Sequence, residues 1–235
     1  TNSYIMLEEE ELLKIQEHCS FNSPCNSVQR LSGGDINDVF VLEFGDFKYV
    51  VKRNVVNRFP QMMEKEYRAL MTLHATRTIR YPQPITHFIF SSHQYLVMEY
   101  ISPGLNSQKG QELLGIGLAQ QHKESNDQFG WQEDNYIGSL PQPNNQSSSW
   151  SEFYAGQRLL FQTKLAYDHK HVDQQFVRQM ESFCKHLTGL FPEEKPALLH
   201  GDLWGGNYLI SQEGSPLLYD PAVYYGHREI DIAMT

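Results

Sequence analysis

Alternating and helical apolar patterns divide the first hundred residues into strands and helices. Apolar positions three and four apart predict a helix over residues 7–18 and an amphipathic helix over residues 61–75. Residues 95–98 form an apolar run typical of a short buried strand. The dipeptide Gly45-Asp46 has the length and first-position glycine of a type II′ hairpin turn. Three antiparallel strands are predicted around it, over residues 28–31, 39–44 and 47–52.

The pattern changes after residue 101, where Ser102-Pro103-Gly104 marks a boundary. Beyond it, residues 111–122 and the whole of 150–190 have helical patterns. Residues 131–149, rich in Pro, Asn and Ser, are predicted to form a loop. Short apolar strands follow at 208–210 and 217–219. The sequence therefore predicts a β-rich domain over residues 1–100 and a helical domain over residues 101–235.

Composition narrows the classes of partner. The chain has 235 residues with 19 Lys and Arg against 28 Asp and Glu, a formal charge of −9, which repels nucleic acid and anionic lipid. A small phosphate ligand is compatible with this negative charge, because helix N-termini and glycine-rich loops bind anions locally. The hydrophobic fraction of 40% excludes global disorder. Three cysteines in no CxxC pair indicate a reducing compartment, and no apolar segment is long enough to cross a membrane. Together with the negative charge, these observations predict a cytoplasmic protein with neither nucleic acid nor membrane as partner.

An H-x-D-x-x-x-x-N motif carries the strongest chemical signal. His200, Asp202 and Asn207 have the spacing of the protein-kinase catalytic loop, in which the Asp accepts the substrate hydroxyl proton and the Asn holds magnesium. If the two following strands pair around a turn centred between residues 213 and 214, Asn207 faces Asp220 at about 5 Å between Cα atoms. Two oxygen ligands so placed suit a hard cation. We therefore predict a magnesium site at Asn207 and Asp220.

A lysine and a glutamate are predicted to act together on the phosphates of a nucleotide. In the kinase pattern, a strand lysine contacts the α and β phosphates of ATP and a glutamate on the next helix holds it. Lys52 ends a predicted strand, and Glu66 lies within the apolar arc of the following helix, whereas Glu64 lies on the far side. A buried lysine needs such a carboxylate. The structural alternatives are an edge-strand Lys52 and a solvated Glu66.

Two further segments complete the predicted nucleotide site. Gly33-Gly34 joins two strands ahead of the lysine strand, and glycine lets backbone N–H groups approach phosphate closely. An ordinary hairpin turn is the alternative for this pair. Met98, Glu99 and Tyr100 close a strand just before the domain boundary. We expect their main-chain groups to pair with the edge of adenine.

Short segments spread over the second half of the chain form a family signature. They are LHGDLW at 199–204, GN at 206–207, YDPA at 219–222, YGHRE at 225–229 and DIAM at 231–234, with DNYIG at 134–138 and PQPN at 141–144. These segments resemble the fructosamine kinase (ketosamine-3-kinase) family, a branch of the protein-kinase-like fold related to aminoglycoside phosphotransferases and choline kinases. The resemblance covers the chain from about residue 31 onward.

The resemblance implies a two-lobed α+β fold, with a small antiparallel-sheet N-lobe, a mainly helical C-lobe and an active cleft between them. It implies ATP- and Mg²⁺-dependent phosphorylation of a sugar hydroxyl on a ketosamine such as fructosamine or ribulosamine, free or on a glycated lysine, with deglycation as the result. His200 is expected either to orient the catalytic loop or to meet substrate. The remaining implied roles are base for Asp202, magnesium ligands for Asn207 and Asp220, phosphate clamp for Lys52 and Glu66, sugar contact for Trp204, and loop support for Asp231.

Two other functions stay compatible with these residues. One is a kinase for an aminoglycoside, choline or another amino alcohol, and the other is a nucleotide-binding pseudoenzyme that serves as an interaction module. Some family members carry a redox-active cysteine in the glycine loop, but Asp35 occupies that place, so we expect no such switch. Family members continue for several helices past the segment matching 231–234, so we expect the natural chain to be longer. The oligomeric state is left open.

Overall fold

Residues 6–31 and 36–235 are described by the structure, a computed structural model. A π-helical segment, Tyr154–Leu160, links the fourth and fifth helices. The elements in chain order are α1 (Glu9–Cys19), β1 (Cys25–Leu31), β2 (Asp38–Phe44), β3 (Phe47–Val55), α2 (Met62–Thr76), β4 (Pro84–Phe90), β5 (His93–Glu99), α3 (Gln108–Gln121), β6 (Asn135–Ile137), β7 (Leu140–Gln142), α4 (Trp150–Phe153), α5 (Phe161–Asp168), α6 (Gln174–Cys184), β8 (Ala197–Leu199), β9 (Tyr208–Ile210), β10 (Pro216–Leu218), β11 (Tyr224–Gly226) and α7 (Glu229–Met234).

The chain divides into two compact units. The first consists of residues up to Gly115 together with Asn207–Pro221, and the second consists of Ile116–Gly206 and Ala222–Thr235. The strand pair β9–β10 thus belongs with the N-terminal sheet, although the sequence places it with the helical part. Within the two described ranges, no helix combines the length and the apolar character needed to cross a membrane.

An antiparallel five-stranded sheet, in the order β1-β2-β3-β5-β4, forms the centre of the first unit. The predicted two-residue turn between β2 and β3 is present: Phe44 pairs with Phe47, and Gly45 has a φ of 61°. β4 was not predicted from the sequence, in which the only strand expected between α2 and residue 101 is the apolar run 95–98. Side chains alternate along a strand, so Lys52 and Arg53 of β3 lie on opposite faces of the sheet.

Helix α1 packs on the Arg53 face of the sheet through both apolar and charged contacts. Its Ile15 is fully buried in a cluster with Phe40 and Val97. The Glu11 carboxylate accepts hydrogen bonds from Nη1 of Arg53 at 2.8 and 3.0 Å and from the backbone N–H of Glu8 at 2.7 Å. The Tyr95 hydroxyl also contacts it. The buried charge of Glu11 therefore has partners from three elements.

Replacing Glu11 with glutamine is expected to lower the stability of the folded protein at neutral pH. The same change should make that stability less sensitive to acid. Burial opposes ionisation of Glu11, but its hydrogen bonds to Glu8, Tyr95 and Arg53 outweigh burial and hold its pKa below 4.5. A lowered folded-state pKa contributes stability above pH 4.5 that is lost as the pH falls further. Urea denaturation at pH 7 should show a loss of about 1.5–3 kcal/mol for Glu11→Gln.

The same titrations should give a smaller loss of stability below pH 4.5 for Glu11→Gln than for the wild type, because the variant lacks the titrating group. Glu10 lies on the same helix and is exposed, so Glu10→Gln serves as the control and should change stability little. Parallel acid profiles for Glu11→Gln and the wild type would contradict this account of the carboxylate.

The β9–β10 hairpin is held to the rest of the first unit by backbone hydrogen bonds. The N–H of Gly104 donates to Ile210 O at 2.7 Å, and the N–H of Gln212 donates to Ser102 O at 3.1 Å. A Cβ on Gly104 would lie 2.3 Å from the carbonyl oxygen of Ser211, so only glycine permits this approach. The segment singled out as a boundary in the sequence is therefore a docking strand for the hairpin.

The second unit departs from its sequence pattern in two places. Residues 150–190 are not helical throughout: α5 ends at Asp168, and α6 begins only after Asp173, whose carboxylate caps it by accepting the N–H of Phe176 at 2.8 Å. The predicted loop over residues 131–149 contains the short hairpin β6–β7. A second pair, β8–β11, places Tyr224 opposite Leu199.

Candidate active site

A cluster of one buried ammonium, one largely buried carboxylate and one partly exposed carboxylate lies on one face of the first unit's sheet. Lys52 Nζ donates to Glu66 Oε1 at 2.6 Å and also contacts Asp220 Oδ1. The side chain of Lys52 is 5% exposed, Glu66 is 11% exposed and Asp220 is 43% exposed. Because β3 lies between β2 and β5, Lys52 is not an edge-strand lysine. The predicted pairing of Lys52 with Glu66 is confirmed.

Burial and charge act in opposite directions on the Lys52 ammonium. Burial alone would lower its pKa, but the carboxylates of Asp220 and Glu66 outweigh burial and raise the pKa above its ordinary value. Burial raises the pKa of Glu66, the positive charge of Lys52 opposes this, and the negative charge of Asp220 adds to the increase. Lys52 is therefore permanently cationic at neutral pH and shared between two acids.

The register of the β9–β10 hairpin differs by one residue from the prediction. Leu218 pairs with Tyr208, and the N–H of Tyr219 donates to Asn207 O at 3.0 Å, so Asn207 faces Tyr219 and not Asp220. The prediction that Asn207 and Asp220 are directly opposite is wrong. Asp220 has a φ of 56°, in the left-handed region that Asp tolerates better than most residues, and this re-aims its side chain relative to a regular strand.

Asn207 and Asp220 still provide a donor set that fits magnesium. One amide oxygen and one carboxylate match the usual protein share of a Mg²⁺ site, whose other ligands are phosphate and water. Asn207 is 5% exposed, and both residues belong to the first unit. Among residues 6–31 and 36–235, no three His, Cys, Asp or Glu side chains group together to hold a metal ion by themselves.

In the second unit, the buried Asp231 fixes the backbone of the predicted catalytic loop. Its carboxylate accepts the N–H of His200 and of Gly201, each at 2.9 Å, and its Oδ2 lies 2.9 Å from Nε2 of His122. The N–H of Asp202 donates to Nδ1 of His200 at 3.2 Å. His200 is fully buried, which favours the loop-orienting role over substrate contact. The predicted support of the loop by Asp231 is confirmed.

Trp204 follows the loop and is 54% exposed, so it is not a core residue. It shares the second unit with Asp202. An exposed indole beside a polar loop suits stacking on the apolar face of a sugar ring. The sugar contact implied for Trp204 by the family resemblance stays a prediction.

The end of β5 carries the residues predicted to meet adenine. Met98 is 3% exposed within the sheet, and Tyr100 follows the strand. The Glu99 carboxylate accepts from Arg80 Nη2 at 2.7 Å and from the N–H of Gln83 at 3.2 Å, while its own N–H donates to Gln83 O at 2.9 Å. The side chain of Glu99 therefore braces β5 against the segment before β4. Sequence reasoning missed Arg80, which no motif marks.

The glycine pair predicted to approach phosphate, Gly33 and Gly34, lies outside the described residues, as does Asp35. Their predicted roles stay predictions. The residues flanking them are tied together: Asp38 accepts from Arg30 Nη2 at 2.8 Å and from Arg53 Nη2 at 2.9 Å.

Relatives with curated descriptions are similar to most of the chain. A probable ketoamine kinase of Synechocystis is 41% identical over 215 residues, which cover 87% of this chain and 69% of that protein. A chloroplastic protein-ribulosamine 3-kinase of Arabidopsis thaliana is 37% identical over 215 residues, which cover 88% of this chain and 64% of that protein. This chain thus spans about two thirds of the length of either relative.

Solved structures confirm the predicted α+β kinase-like fold class. A candidate fructosamine-3-kinase from Thermobifida fusca superposes with a TM-score of 0.84 at 29% identity, covering 95% of this chain and 76% of that one. An aminoglycoside phosphotransferase shares the fold at a TM-score of 0.67 and 14% identity, covering 95% of this chain and 75% of that one. The sequence model of the fructosamine kinase family matches residues 9–235. With these matches extending over both units, the chain belongs to the fructosamine kinase family.

Proposed function

We propose that this protein transfers the γ-phosphoryl group of ATP to a sugar hydroxyl of a ketosamine. The observation that carries the proposal is the buried ion pair of Lys52 and Glu66 in the first unit, with Asp220 in contact with the same ammonium. A cation held between two acids on a sheet face is the arrangement that kinases use to bind nucleotide phosphates. The names of the relatives, ketoamine kinase and protein-ribulosamine 3-kinase, support a ketosamine as the acceptor.

Lys52 and Glu66 form the proposed phosphate clamp. Glu66 keeps the ammonium of Lys52 in place when phosphate oxygens approach, because the two groups are 2.6 Å apart and almost fully buried. Bound phosphate oxygens would share the positive charge of Lys52 with Asp220, which contacts the same ammonium. Charge neutralisation by a pre-positioned donor in a dry site is among the largest contributions to catalysis.

Asp202 is the proposed base. Its backbone is held through His200, whose ring accepts the Asp202 N–H, and through the carboxylate of Asp231 on the preceding peptide groups. A carboxylate fixed in this way orients the acceptor hydroxyl and takes its proton as the phosphoryl group transfers. Trp204 is proposed to contact the sugar.

Asn207 and Asp220 would hold magnesium, which when bound neutralises charge on the nucleotide phosphates. Met98, Glu99 and Tyr100 are proposed to hold adenine through main-chain groups. The proposed acceptor is a ketosamine, either free or on a glycated protein lysine.

Ketosamine-dependent ADP release is the expected result that tests the proposal. The complete protein is incubated with Mg²⁺ and ATP, and ADP is measured with ribulosamine, fructosamine, choline or an aminoglycoside as acceptor. We expect turnover with a ketosamine that exceeds turnover with choline or the aminoglycoside by at least tenfold, about 1.4 kcal/mol of discrimination. Preference for either of the latter two would overturn the substrate class. ATP binding without turnover on any acceptor would indicate a pseudoenzyme.

A further inference from the structure

Three amide side chains of the segment 135–144 form a buried hydrogen-bonded cluster in the second unit. Asn135, Gln142 and Asn144 are 8%, 2% and 1% exposed. Asn135 and Gln142 face each other across the β6–β7 hairpin, and Oδ1 of Asn135 accepts from Gln142 Nε2 at 2.8 Å and from Asn144 Nδ2 at 2.9 Å. Buried amides destabilise a fold unless each finds hydrogen-bond partners. The cluster therefore has a defined geometry.

Asn135 and Gln142 also donate to the backbone that follows Asp220. Nδ2 of Asn135 donates to Val223 O at 2.8 Å, and Nε2 of Gln142 donates to Ala222 O at 3.1 Å. Ala222 is 2% exposed and Val223 is fully buried. Side-chain amides thus supply hydrogen bonds to carbonyl groups that lie away from bulk water.

Ala222 is also in close contact with the predicted catalytic loop. Its N–H donates to His200 O at 2.9 Å. Gly201 has a φ of 82°, and a Cβ on it would lie 2.1 Å from Ala222 O. The carbonyl group that Gln142 binds is therefore packed directly against the residue before Asp202. A shift of Ala222 must move Gly201, because no free space separates them.

The other end of the cluster is anchored by Arg158 on the π-helical segment. Nη2 of Arg158 donates to Asn144 Oδ1 at 2.7 Å, and Nη1 donates to Pro143 O at 2.6 Å. The guanidinium lies 4.1 Å from the centre of the Tyr224 ring. Tyr224 is itself paired with Leu199, at the start of the loop. The cluster is thus fixed at both ends.

We propose that Gln142 and Asn135 are positioning residues for phosphoryl transfer: their amides hold Ala222 and Val223, and through Gly201 they set the position of Asp202. The inference rests on the proposed function, in which Asp202 is the base. Both amides are almost fully buried, so we place them outside the substrate contacts. Displacement of a catalytic group by about 1 Å is enough to slow a reaction about a hundredfold. Loss of these hydrogen bonds should therefore lower kcat.

Gln142→Met tests the proposal, because methionine keeps the length of the side chain and removes the donor to Ala222. With ketosamine and ATP, we expect kcat to fall by about 10- to 100-fold while KM for either substrate changes by less than about twofold. Hydrogen exchange of the amides at 200–202 should accelerate by at least about tenfold. Asn145 on the same segment is exposed, and its side-chain amide donates to Gln157, which is outside the cluster. Asn145→Ala is therefore the matched control and should change neither quantity.

Gln142→Glu keeps the test informative if the methionine variant fails to fold. An ionised carboxylate cannot donate to Ala222 O, whereas a protonated one can. We expect the kcat of Gln142→Glu, taken relative to the wild type at the same pH, to rise as the pH is lowered. A purely structural role predicts a lower melting temperature with a wild-type kcat in the folded variant.

A folded Gln142 variant with unchanged kcat and unchanged exchange at 200–202 would overturn the proposal. Failure of the proposed function looks different, since the wild type would then show no ketosamine turnover. In that case the exchange rates still decide whether Gln142 fixes the loop, because they do not depend on the reaction.

Discussion

Asparagine at position 202 should leave ATP binding nearly intact while kcat with a ketosamine falls at least about a hundredfold. The Asp202→Asn variant keeps the size of the side chain and the backbone hydrogen bond to His200, but it loses the group that accepts the hydroxyl proton. Isothermal titration with ATP and steady-state ADP release measure the two quantities separately. A loss confined to kcat is the signature of a group that acts in the transition state.

Asp127 provides the matched control, because it is an exposed aspartate in the same unit. Asp127→Asn should retain wild-type kcat and KM. Near-normal turnover in Asp202→Asn would remove Asp202 from the mechanism and would direct attention to the other carboxylates of the family signature.

Replacing Lys52 with methionine should lower kcat/KM for ATP by about 10²- to 10³-fold, the scale found when one pre-positioned charge donor is lost. The variant removes the cation shared by Glu66 and Asp220. Glu66 is then a buried carboxylate without a counter-ion, so stability should fall by about 3–5 kcal/mol. Denaturant titration and ATP-dependent kinetics give the two effects independently.

A second substitution separates the two effects of removing Lys52. Lys52→Met combined with Glu66→Leu leaves no uncompensated charge on α2, so stability should recover while activity stays low. Lys48 on the same strand is exposed, and Lys48→Met should change neither quantity. Recovery of activity in the double variant would contradict a phosphate-binding role for Lys52.

The parts of the site that the sequence predicted correctly depend on local geometry. Lys52 follows from its place at the end of a predicted strand, where the kinase pattern has a lysine. Glu66 follows from the helical period of α2, which holds over a few residues. Their 2.6 Å contact needed only that the two elements be adjacent, as consecutive elements usually are. The loop support by Asp231 depended on the resemblance and not on any local pattern.

The error in the hairpin register shows what local patterns leave undetermined. An apolar run does not say how many residues its turn contains. Ser211 and Ser215 close a three-residue loop, with the N–H of Ser211 on Ser215 O at 2.8 Å and Gly214 at a φ of 80°. Three-residue hairpin loops commonly end in a residue with left-handed backbone conformation, as Gly214 does here. The prediction centred the turn between residues 213 and 214, which requires an even number of loop residues. The observed pairing between β9 and β10 is therefore shifted by one residue from the predicted one.

The amide cluster lay beyond sequence reasoning for a different reason. Its three residues are polar and produce no apolar period, so the sequence predicts a loop there. Asn135 and Gln142 bond to Val223 and Ala222, which lie 88 and 80 residues further along the chain. Composition cannot reveal a partner so distant along the chain.

The chain order of the Lys52 cluster has a consequence for biosynthesis. Glu66 lies 14 residues after Lys52, but Asp220 lies 168 residues after it. At about 5–20 residues per second, Asp220 is synthesised about 8–34 s after Lys52. The N-terminal sheet therefore emerges from the ribosome well before the hairpin that completes its charge balance. The first unit is therefore completed only at Pro221, after most of the second unit has been made.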